Sequence, residues 1–322
     1  MTRAFIIVGP TATGKSEIAA DVARKVGAEI VSADAFQIYR GLDLLTAKPE
    51  SSTLAKAPHH LIGIVPLGEE MNAEKFRRLA LRAVDEINSR GTLAIVVGGS
   101  GLYIKTLTHG LAPLPESDPE LREKLSAMSL DDLRSQLVEV DPETARKIDL
   151  KNRRRVARAL EICLITGKPA SEVVAEGVDL GTLGNIRSRS APAATGPGSS
   201  ISATGVFVFR DRQELYERIN QRVEMMFERG VIEEVRTAGE ISQTASQMIG
   251  LREIRELLAG KKSSPQCIAE IQQATRRYAK RQLTWFRRQT NFLPLNLSFL
   301  THNEAVKWIS LRILSEAGAR DD

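Results

Sequence analysis

The sequence has few of the residues that mark several protein classes. It contains two cysteines in 322 residues, Cys163 and Cys267, which are too far apart for a CxxC metal pair and too few for a disulfide framework. Its four histidines have no partner at metal-ligand spacing. The longest apolar stretch, residues 93–104, is broken by three glycines and is shorter than the ~20 residues that a membrane span needs. Residues 4–8 are too few for the apolar region of a signal peptide. We therefore expect a cytoplasmic protein that does not associate with membranes.

The rest of the sequence indicates a globular protein with an α/β core. A chain of 322 residues corresponds to about two domains at ~150 residues each. Short apolar runs at residues 5–8, 29–32 and 93–97 predict buried strands, and amphipathic runs at 16–26 and 73–89 predict helices between them. Strands that alternate with helices in this way indicate a mostly parallel sheet.

The pattern changes after residue 115. Residues 118–167 contain several amphipathic helical runs and no convincing strand, and 177–204 are crowded with Gly, Ser, Thr, Ala and Pro, which is typical of a flexible loop. Residues 205–209 predict a strand that returns to the sheet, followed by helices. The predicted domains are a P-loop core (1–115), an all-helical insertion (116–204) and a segment that completes the core and carries RNA-binding helices (205–322).

One motif predicts a phosphate site. It comprises Gly9, Pro10, Thr11, Ala12, Thr13, Gly14, Lys15 and Ser16. The motif fits GxxxxGK[ST] and lies between a predicted strand and a predicted helix. Main-chain N–H groups of such a loop face an anion at the helix N-terminus, Lys15 adds charge, and Ser16 offers a hydroxyl to Mg²⁺. The alternative, a glycine-rich turn that only starts a helix, does not account for the complete motif. The sequence therefore predicts diphosphate binding.

The acid that P-loop NTPases use to hold Mg²⁺ is missing. Such enzymes place it at the end of a later apolar strand, whereas here residues 93–97 run into glycines and 207–209 run into Arg210. The best-placed acid is Asp34, at the carboxyl end of the second predicted strand, where parallel sheets bind ligands. Asp34 could catalyse a reaction, or it could cap a helix or turn. Routine ATP hydrolysis is not expected.

Two segments are rich in positive charge. Residues 151–158 carry five cations, and 276–288 carry six. In the second segment Arg277, Lys280, Arg281, Thr284 and Arg288 share one helical face. Solvated surface explains most charge runs, but two such runs in a chain of net charge +5 favour an RNA backbone as partner. Trp285 could stack on a base or belong to the core on the opposite face.

Together these motifs resemble one family, the tRNA dimethylallyltransferases, also called tRNA isopentenyltransferases. The resemblance covers most of the chain. It is carried by residues 9–16, 32–39, 46–49, 58–61, 98–103, 154–161, 211–222 (through Tyr216, Arg218, Ile219 and Arg222) and 280–287. No Cys/His zinc finger follows the core, as in the bacterial form of the family.

The resemblance implies a reaction and a set of catalytic residues. The family transfers a dimethylallyl group from dimethylallyl diphosphate to the exocyclic amine of the adenosine 3′ of the anticodon, and its phosphate loop holds the donor instead of hydrolysing ATP. By matching positions, Asp34 would be the general base, Lys15 and Arg222 would neutralise the diphosphate, and Ser16 would ligate Mg²⁺. The enzyme is expected to act as a monomer.

The resemblance also implies a larger set of residues that contact the anticodon stem-loop of tRNA. These are Asp34, Ala35, Phe36, Gln37, Ser100, Arg122, Arg154, Arg155, Val156, Ala157, Arg158, Met248, Ile249, Gly250, Leu251, Arg252, Glu253, Lys280, Arg281, Gln282, Thr284, Trp285 and Arg287.

Three other functions stay open at this point. A small-molecule kinase would use residues 151–158 as an arginine-bearing lid over ATP, which leaves 280–287 unexplained. A prenyltransferase acting on free adenine nucleotides would not need the C-terminal basic helix. An RNA-binding protein with a degenerate nucleotide site would lose nothing when Asp34 is replaced.

Overall fold

The computed structural model describes residues 3–110, 114–115, 118–175 and 202–318. The chain divides into two compact units, one comprising 1–108 with 199–322 and the other 109–198. Most of the predicted flexible loop at 177–204 lies outside the described residues. Within the described ranges no helix is long and apolar enough to cross a membrane.

The first unit contains one parallel sheet of six strands. They are β1 (Arg3–Val8), β2 (Glu29–Ala33), β3 (His59–His60), β4 (Ala94–Gly98), β5 (Ser202–Phe209) and β6 (Phe292–Asn296). Their order is β3-β2-β4-β1-β5-β6, and every pairing is parallel. The predicted α/β class with a P-loop-type core is confirmed.

The helices of the first unit surround the sheet. They are α1 (Lys15–Val26), α2 (Ser51–Leu54), α3 (Ala73–Ser89), α4 (Gly101–His109, which runs one residue past this unit), α10 (Arg212–Glu228), α11 (Val231–Arg236), α12 (Leu251–Leu258), α13 (Ser264–Phe286) and α14 (His302–Gly318). The second unit contains α5 (Pro119–Ala127), α6 (Leu130–Val140), α7 (Pro142–Lys147), α8 (Arg153–Thr166) and α9 (Ala170–Ala175).

The sequence prediction differs from the structure most at three strands. β5 begins at Ser202, so residues 202–204 belong to the sheet and not to the predicted loop; they pair with the first residues of β1. The two-residue strand β3 was not predicted, and β6 was missed because helices were expected after residue 209 and Pro294 interrupts its short apolar run. As the edge strand next to β5, β6 can accommodate a proline that donates no hydrogen bond.

Alternate side chains of the strands point into two cores. Ile6 and Val8 of β1 pack with α3 and α10–α13 on one face, whereas Phe5 and Ile7 pack with α1 and α14 on the other. A strand buried on both faces reads as a continuous apolar run, which is why it could be recognised from sequence. Because β1, β2 and β4 are neighbours and run parallel, their carboxyl ends meet at one edge of the sheet.

A buried carboxylate holds three segments of the helical unit together. Asp141, only 1% exposed, accepts hydrogen bonds from the Thr144 amide (2.9 Å), the Ser171 amide (2.9 Å) and the Ser171 hydroxyl (2.8 Å). Burial raises the pKa of Asp141, but these hydrogen bonds outweigh burial and hold it below its usual value. Asp141 thereby links α6, α7 and α9.

We predict that Asp141→Asn destabilises this unit by about 1–3 kcal/mol, because the new amide would face the Ser171 N–H and leave a buried donor unpaired. Hydrogen–deuterium exchange should show faster exchange in 141–147 and 170–175, with β1 and α3 unchanged. Since the folded pKa is depressed, the stabilisation exists above the unfolded pKa and is lost as pH falls through the folded value. Equal protection in variant and wild type would contradict the prediction.

Candidate active site

The phosphate-loop motif folds into a compact turn between β1 and α1. Gly14, with φ of 88°, precedes the first residue of α1 in a backbone conformation that favours glycine. The Thr13 hydroxyl donates to the Pro10 carbonyl at 3.0 Å, and Lys15 Nζ rests 3.3 Å from the same oxygen. The helix N-terminus thus opens at the sheet edge, where main-chain N–H groups attract an anion.

Two arginines that the sequence analysis did not assign hold the carbonyl side of this loop. Arg218 Nε donates to the Ala12 carbonyl at 2.8 Å, and Arg210 Nε donates to the Thr13 carbonyl at 2.9 Å. Arg218 lies one turn before Arg222 on α10, and that spacing was the available signal. Arg210 left no signal of its own, because its partners in the loop are main-chain atoms.

The cations around the loop influence one another. Burial lowers the pKa of Lys15 to about 8; Asp34 opposes this effect and Arg222 adds to it. Burial also lowers the pKa of Arg222, against the attraction of Asp34. Among the described residues, Arg222 Nε is buried and has no hydrogen-bond partner. A buried guanidinium N–H without a partner, beside a lysine and a helix N-terminus, is suited to an anion.

Asp34 follows β2 at the same sheet edge. Its Oδ1 accepts hydrogen bonds from the amides of Phe36 (3.0 Å) and Gln37 (3.3 Å). The turn-capping role that the sequence left open is therefore real, and it fixes the carboxylate. Asp34 also interacts electrostatically with Lys15 and Arg222, so the acid and the phosphate loop form one site.

The glycine-rich segment after β4 joins this site to α13. The Ser100 hydroxyl accepts a hydrogen bond from the Ala35 amide at 3.0 Å and also interacts with Tyr278. Burial raises the pKa of Tyr278, and the nearby charge of Asp34 adds to the shift. Ser100 therefore connects the Asp34 turn to the helix that carries the predicted RNA contacts.

The site contains oxygen donors but no protein-built metal cage. A cavity of about 20 Å³ is lined by Ser16, Ser32 and Asp34, among others, which is room for one or two water-sized groups. Within the described ranges no three His, Cys, Asp or Glu residues cluster as metal ligands. Mg²⁺ commonly takes one or two protein oxygens and completes its shell with phosphates and water, so these residues fit a Mg²⁺ that arrives with a diphosphate.

Neither β4 nor β5 is followed directly by an acid. β4 ends at Gly98 and continues into Gly99, and β5 is followed by Arg210. Arg210, which occupies the position after β5, instead donates a hydrogen bond to the phosphate loop. That this loop holds a diphosphate and does not hydrolyse ATP stays a prediction.

The cationic face of α13 is exposed. Arg277, Lys280, Arg281 and Thr284 all face solvent, whereas Arg288 lies beyond the helix end. Trp285 takes the alternative core role: it is partly buried, packs against the main core and meets Phe286 edge-on at 4.8 Å.

The basic segment of the helical unit contains two kinds of arginine. Arg153 donates to the carbonyls of Leu125 and Ser126 at 3.1 and 2.8 Å, and it also contacts Met128. Arg158 pairs with buried Glu161 at 2.7 Å, as Arg122 does at 3.1 Å. Arg154 is exposed and Arg155 half-buried.

Several residues of the predicted RNA-contact set are buried in the protein. The buried members of the predicted set are Ser100, Val156, Met248, Gly250, Leu251, Glu253 and Gln282. Glu253 accepts the Gly250 amide at 3.1 Å and pairs with exposed Arg252 at 2.7 Å. Val156 and Leu251 are among these buried residues, and a contact of either with RNA stays a prediction.

Comparisons with known proteins agree on one family. The model of the IPP transferase family matches residues 37–289. A tRNA dimethylallyltransferase of Citrifermentans bemidjiense is 41% identical over 90% of each chain, and one of Akkermansia muciniphila is 39% identical over 98% of this chain and 99% of its own.

Solved structures agree as well. A tRNA isopentenylpyrophosphate transferase of Bacillus halodurans superposes with a TM-score of 0.70 at 30% identity, covering 100% of this chain and 98% of its own. A eukaryotic dimethylallyltransferase captured acting on tRNA gives a TM-score of 0.78 at 25% identity, covering 98% and 80%.

We predict that Arg222→Met weakens the binding of inorganic diphosphate by about 10- to 100-fold, the loss expected for one buried charged hydrogen-bond donor. Isothermal titration calorimetry measures this directly. Arg229→Met, on an exposed arginine just after α10 that pairs with Glu50, is the matched control and should leave the affinity unchanged. Equal affinities for Arg222→Met and wild type would exclude Arg222 from the anion site.

Proposed function

The chain belongs to the IPP transferase family, and from this premise we propose which of its residues perform the family's reaction. The enzyme transfers a dimethylallyl group from dimethylallyl diphosphate to N6 of the adenosine 3′ of the anticodon in tRNA. Diphosphate is released, and the product is N6-dimethylallyladenosine.

Four cations and one carboxylate meet at the phosphate loop, and this arrangement supports the assignment of residues to the reaction. Lys15, Arg222, Arg218 and Arg210 surround or support the loop, and Asp34 faces Lys15 and Arg222. A kinase would need an acid after β4 or β5, and these strands are followed by glycine and arginine. The set therefore favours departure of a diphosphate over phosphoryl transfer.

We assign the leaving group to the loop. As the allylic C1–O bond breaks, negative charge grows on the diphosphate. Main-chain N–H groups at the start of α1, Lys15 Nζ and the unpartnered Nε of Arg222 would stabilise that charge, and fixed donors of this kind act without reorganisation. Mg²⁺, held by Ser16 and the diphosphate, would supply further charge neutralisation.

We assign the proton to Asp34. The adenosine N6 amine forms a bond to C1 of the donor while the C1–O bond breaks, and the amine must lose one proton. Because Oδ1 is fixed by the amides of Phe36 and Gln37, Oδ2 would accept this proton. A carboxylate within hydrogen-bond reach is suitable as the general base.

We assign tRNA binding to exposed or half-buried cations in each unit. Arg277, Lys280 and Arg281 of α13 in the first unit, and Arg154 and Arg155 of α8 in the second, would contact backbone phosphates. The target adenosine must leave the anticodon stack to reach Asp34. Because tRNA is its substrate, we place the enzyme in the cytoplasm, and the expected monomeric state stays a prediction.

We predict that Asp34→Asn lowers turnover by about 10²- to 10⁴-fold, while the affinities for the anticodon stem-loop and for diphosphate change little. Purified protein would be incubated with Mg²⁺, dimethylallyl diphosphate, ATP and unmodified tRNA, followed by nuclease digestion and mass spectrometry. Wild type should add five carbons to one anticodon-loop adenosine and leave ATP intact. ATP consumed beside unmodified tRNA would support the kinase alternative, and full activity of the variant would exclude Asp34 as the base.

We predict that Arg154→Glu/Arg155→Glu weakens tRNA binding. The slope of log K for tRNA against log salt concentration should become shallower by about 1.5, because a complex that has lost two phosphate contacts releases fewer counterions from the RNA. Filter binding between 50 and 200 mM salt measures both quantities. Lys25→Glu/Lys307→Glu, two exposed lysines on α1 and α14, carries the same charge change and should retain the slope. A slope equal to that of wild type would exclude phosphate contacts by Arg154 and Arg155.

A further inference from the structure

Gln282 occupies an unexpected place for a predicted RNA contact. It belongs to α13, yet only 6% of it is exposed. Its Oε1 accepts a hydrogen bond from the Thr11 amide at 2.9 Å, and its Nε2 donates to the Gly99 carbonyl at 2.8 Å. One side-chain amide therefore joins the phosphate loop to the segment after β4.

The segment after β4 is shaped to admit α13. A Cβ on Gly99 would overlap Gln282 Nε2 and the Gly9 carbonyl, and a Cβ on Gly101 would lie 2.7 Å from the Trp285 ring. Gln282 and Trp285 thus insert where two glycines leave room. The contact is specific in shape as well as in hydrogen bonding.

Only a carboxamide satisfies both partners at this place. The Thr11 N–H requires an acceptor and the Gly99 carbonyl requires a donor. A carboxylate would set an oxygen against the Gly99 carbonyl and bring negative charge toward the diphosphate. An apolar side chain would leave both main-chain groups buried without a partner, which is costly.

The contact lies on the side of the loop that the arginines do not hold. Arg218 and Arg210 bind the carbonyls of Ala12 and Thr13, whereas Gln282 binds the amide at Thr11. The Pro10 carbonyl bonds only to Thr13 and Lys15 of the motif itself among the hydrogen bonds described above, and the Gly9 amide donates to the Gly98 carbonyl at a longer 3.3 Å. Gln282 therefore fixes the first half of the loop.

From this geometry we infer that Gln282 is a positioning residue for the diphosphate loop and does not contact tRNA. Gln282 holds Thr11 so that the following N–H groups are already directed at the diphosphate before it binds. The exposed face of the same helix, with Lys280, remains the RNA surface. This inference rests on the proposed function for the identity of the anion.

The test separates the two substrates. Gln282→Leu should raise the dissociation constant for inorganic diphosphate and the KM for dimethylallyl diphosphate by about 5- to 100-fold. Its dissociation constant for the anticodon stem-loop should stay within about twofold of wild type. Gln282→Glu, which has nearly the same shape, should show the same selective loss if the leucine variant folds poorly. Lys280→Ala is the matched control and should weaken only the stem-loop.

Opposite results would overturn the inference. Weaker stem-loop binding with unchanged diphosphate affinity would make Gln282 an RNA contact, and unchanged affinities for both would remove any positioning role. Thermal unfolding of each variant shows whether the substitution destabilises the whole protein. A lower melting temperature together with equal losses of affinity for diphosphate and for the stem-loop would also contradict a specific role of Gln282. If wild type prenylates no tRNA, the proposed function fails, but the diphosphate titration still decides the role of Gln282.

Discussion

The burial of several neighbouring cations around one loop of main chain is the constraint on which this site depends. Burial disfavours the charges of Lys15, Arg222 and Arg218, and repulsion from a neighbouring arginine adds to this effect in each case. The protein offsets this repulsion in part with Asp34, with Glu214, which pairs with Arg210 at 2.6 Å, and with the loop carbonyls. In the proposed function, an arriving diphosphate would relieve the remainder, so the folded protein would favour binding of an anion before any chemistry occurs.

The proposed reaction needs positive charge and a carboxylate close together, and the fold supplies them from different elements. Leaving-group departure needs positive charge, whereas removal of a proton from an amine needs a carboxylate. Here the carboxylate belongs to the turn after β2 and the cations belong to α1 and α10. Because parallel strands end at a common edge, residues distant in sequence meet there. The Ser100 hydroxyl then fixes the Asp34 turn against α13 through Ala35 and Tyr278.

Contiguous features were predictable from sequence, and main-chain contacts were not. The phosphate loop, its flanking elements and Asp34 could be located because a motif and two apolar runs define them. Arg210 and Gln282 bind main-chain atoms of that loop, and such contacts leave no partner side chain to recognise. Arg153 and Arg158 could not be distinguished from Arg154 by composition. Their partners, the carbonyls at the end of α5 for Arg153 and buried Glu161 for Arg158, approach them only in the folded unit. β6 was hidden by Pro294, which an edge position tolerates.

The position of β5 has a consequence for the order of folding. β1 is flanked by β4 and by β5, but β5 begins at Ser202, after the whole helical unit has been synthesised. Contacts between strands this distant in sequence form slowly, whereas the helical unit relies on local contacts and can fold as the ribosome extends the chain. Arg210, Arg218, Arg222 and Gln282 all follow β5. A nascent chain therefore carries the phosphate motif while β2 to β5 and the helical unit are synthesised, and it acquires the side chains that shape this loop only with α10 and α13.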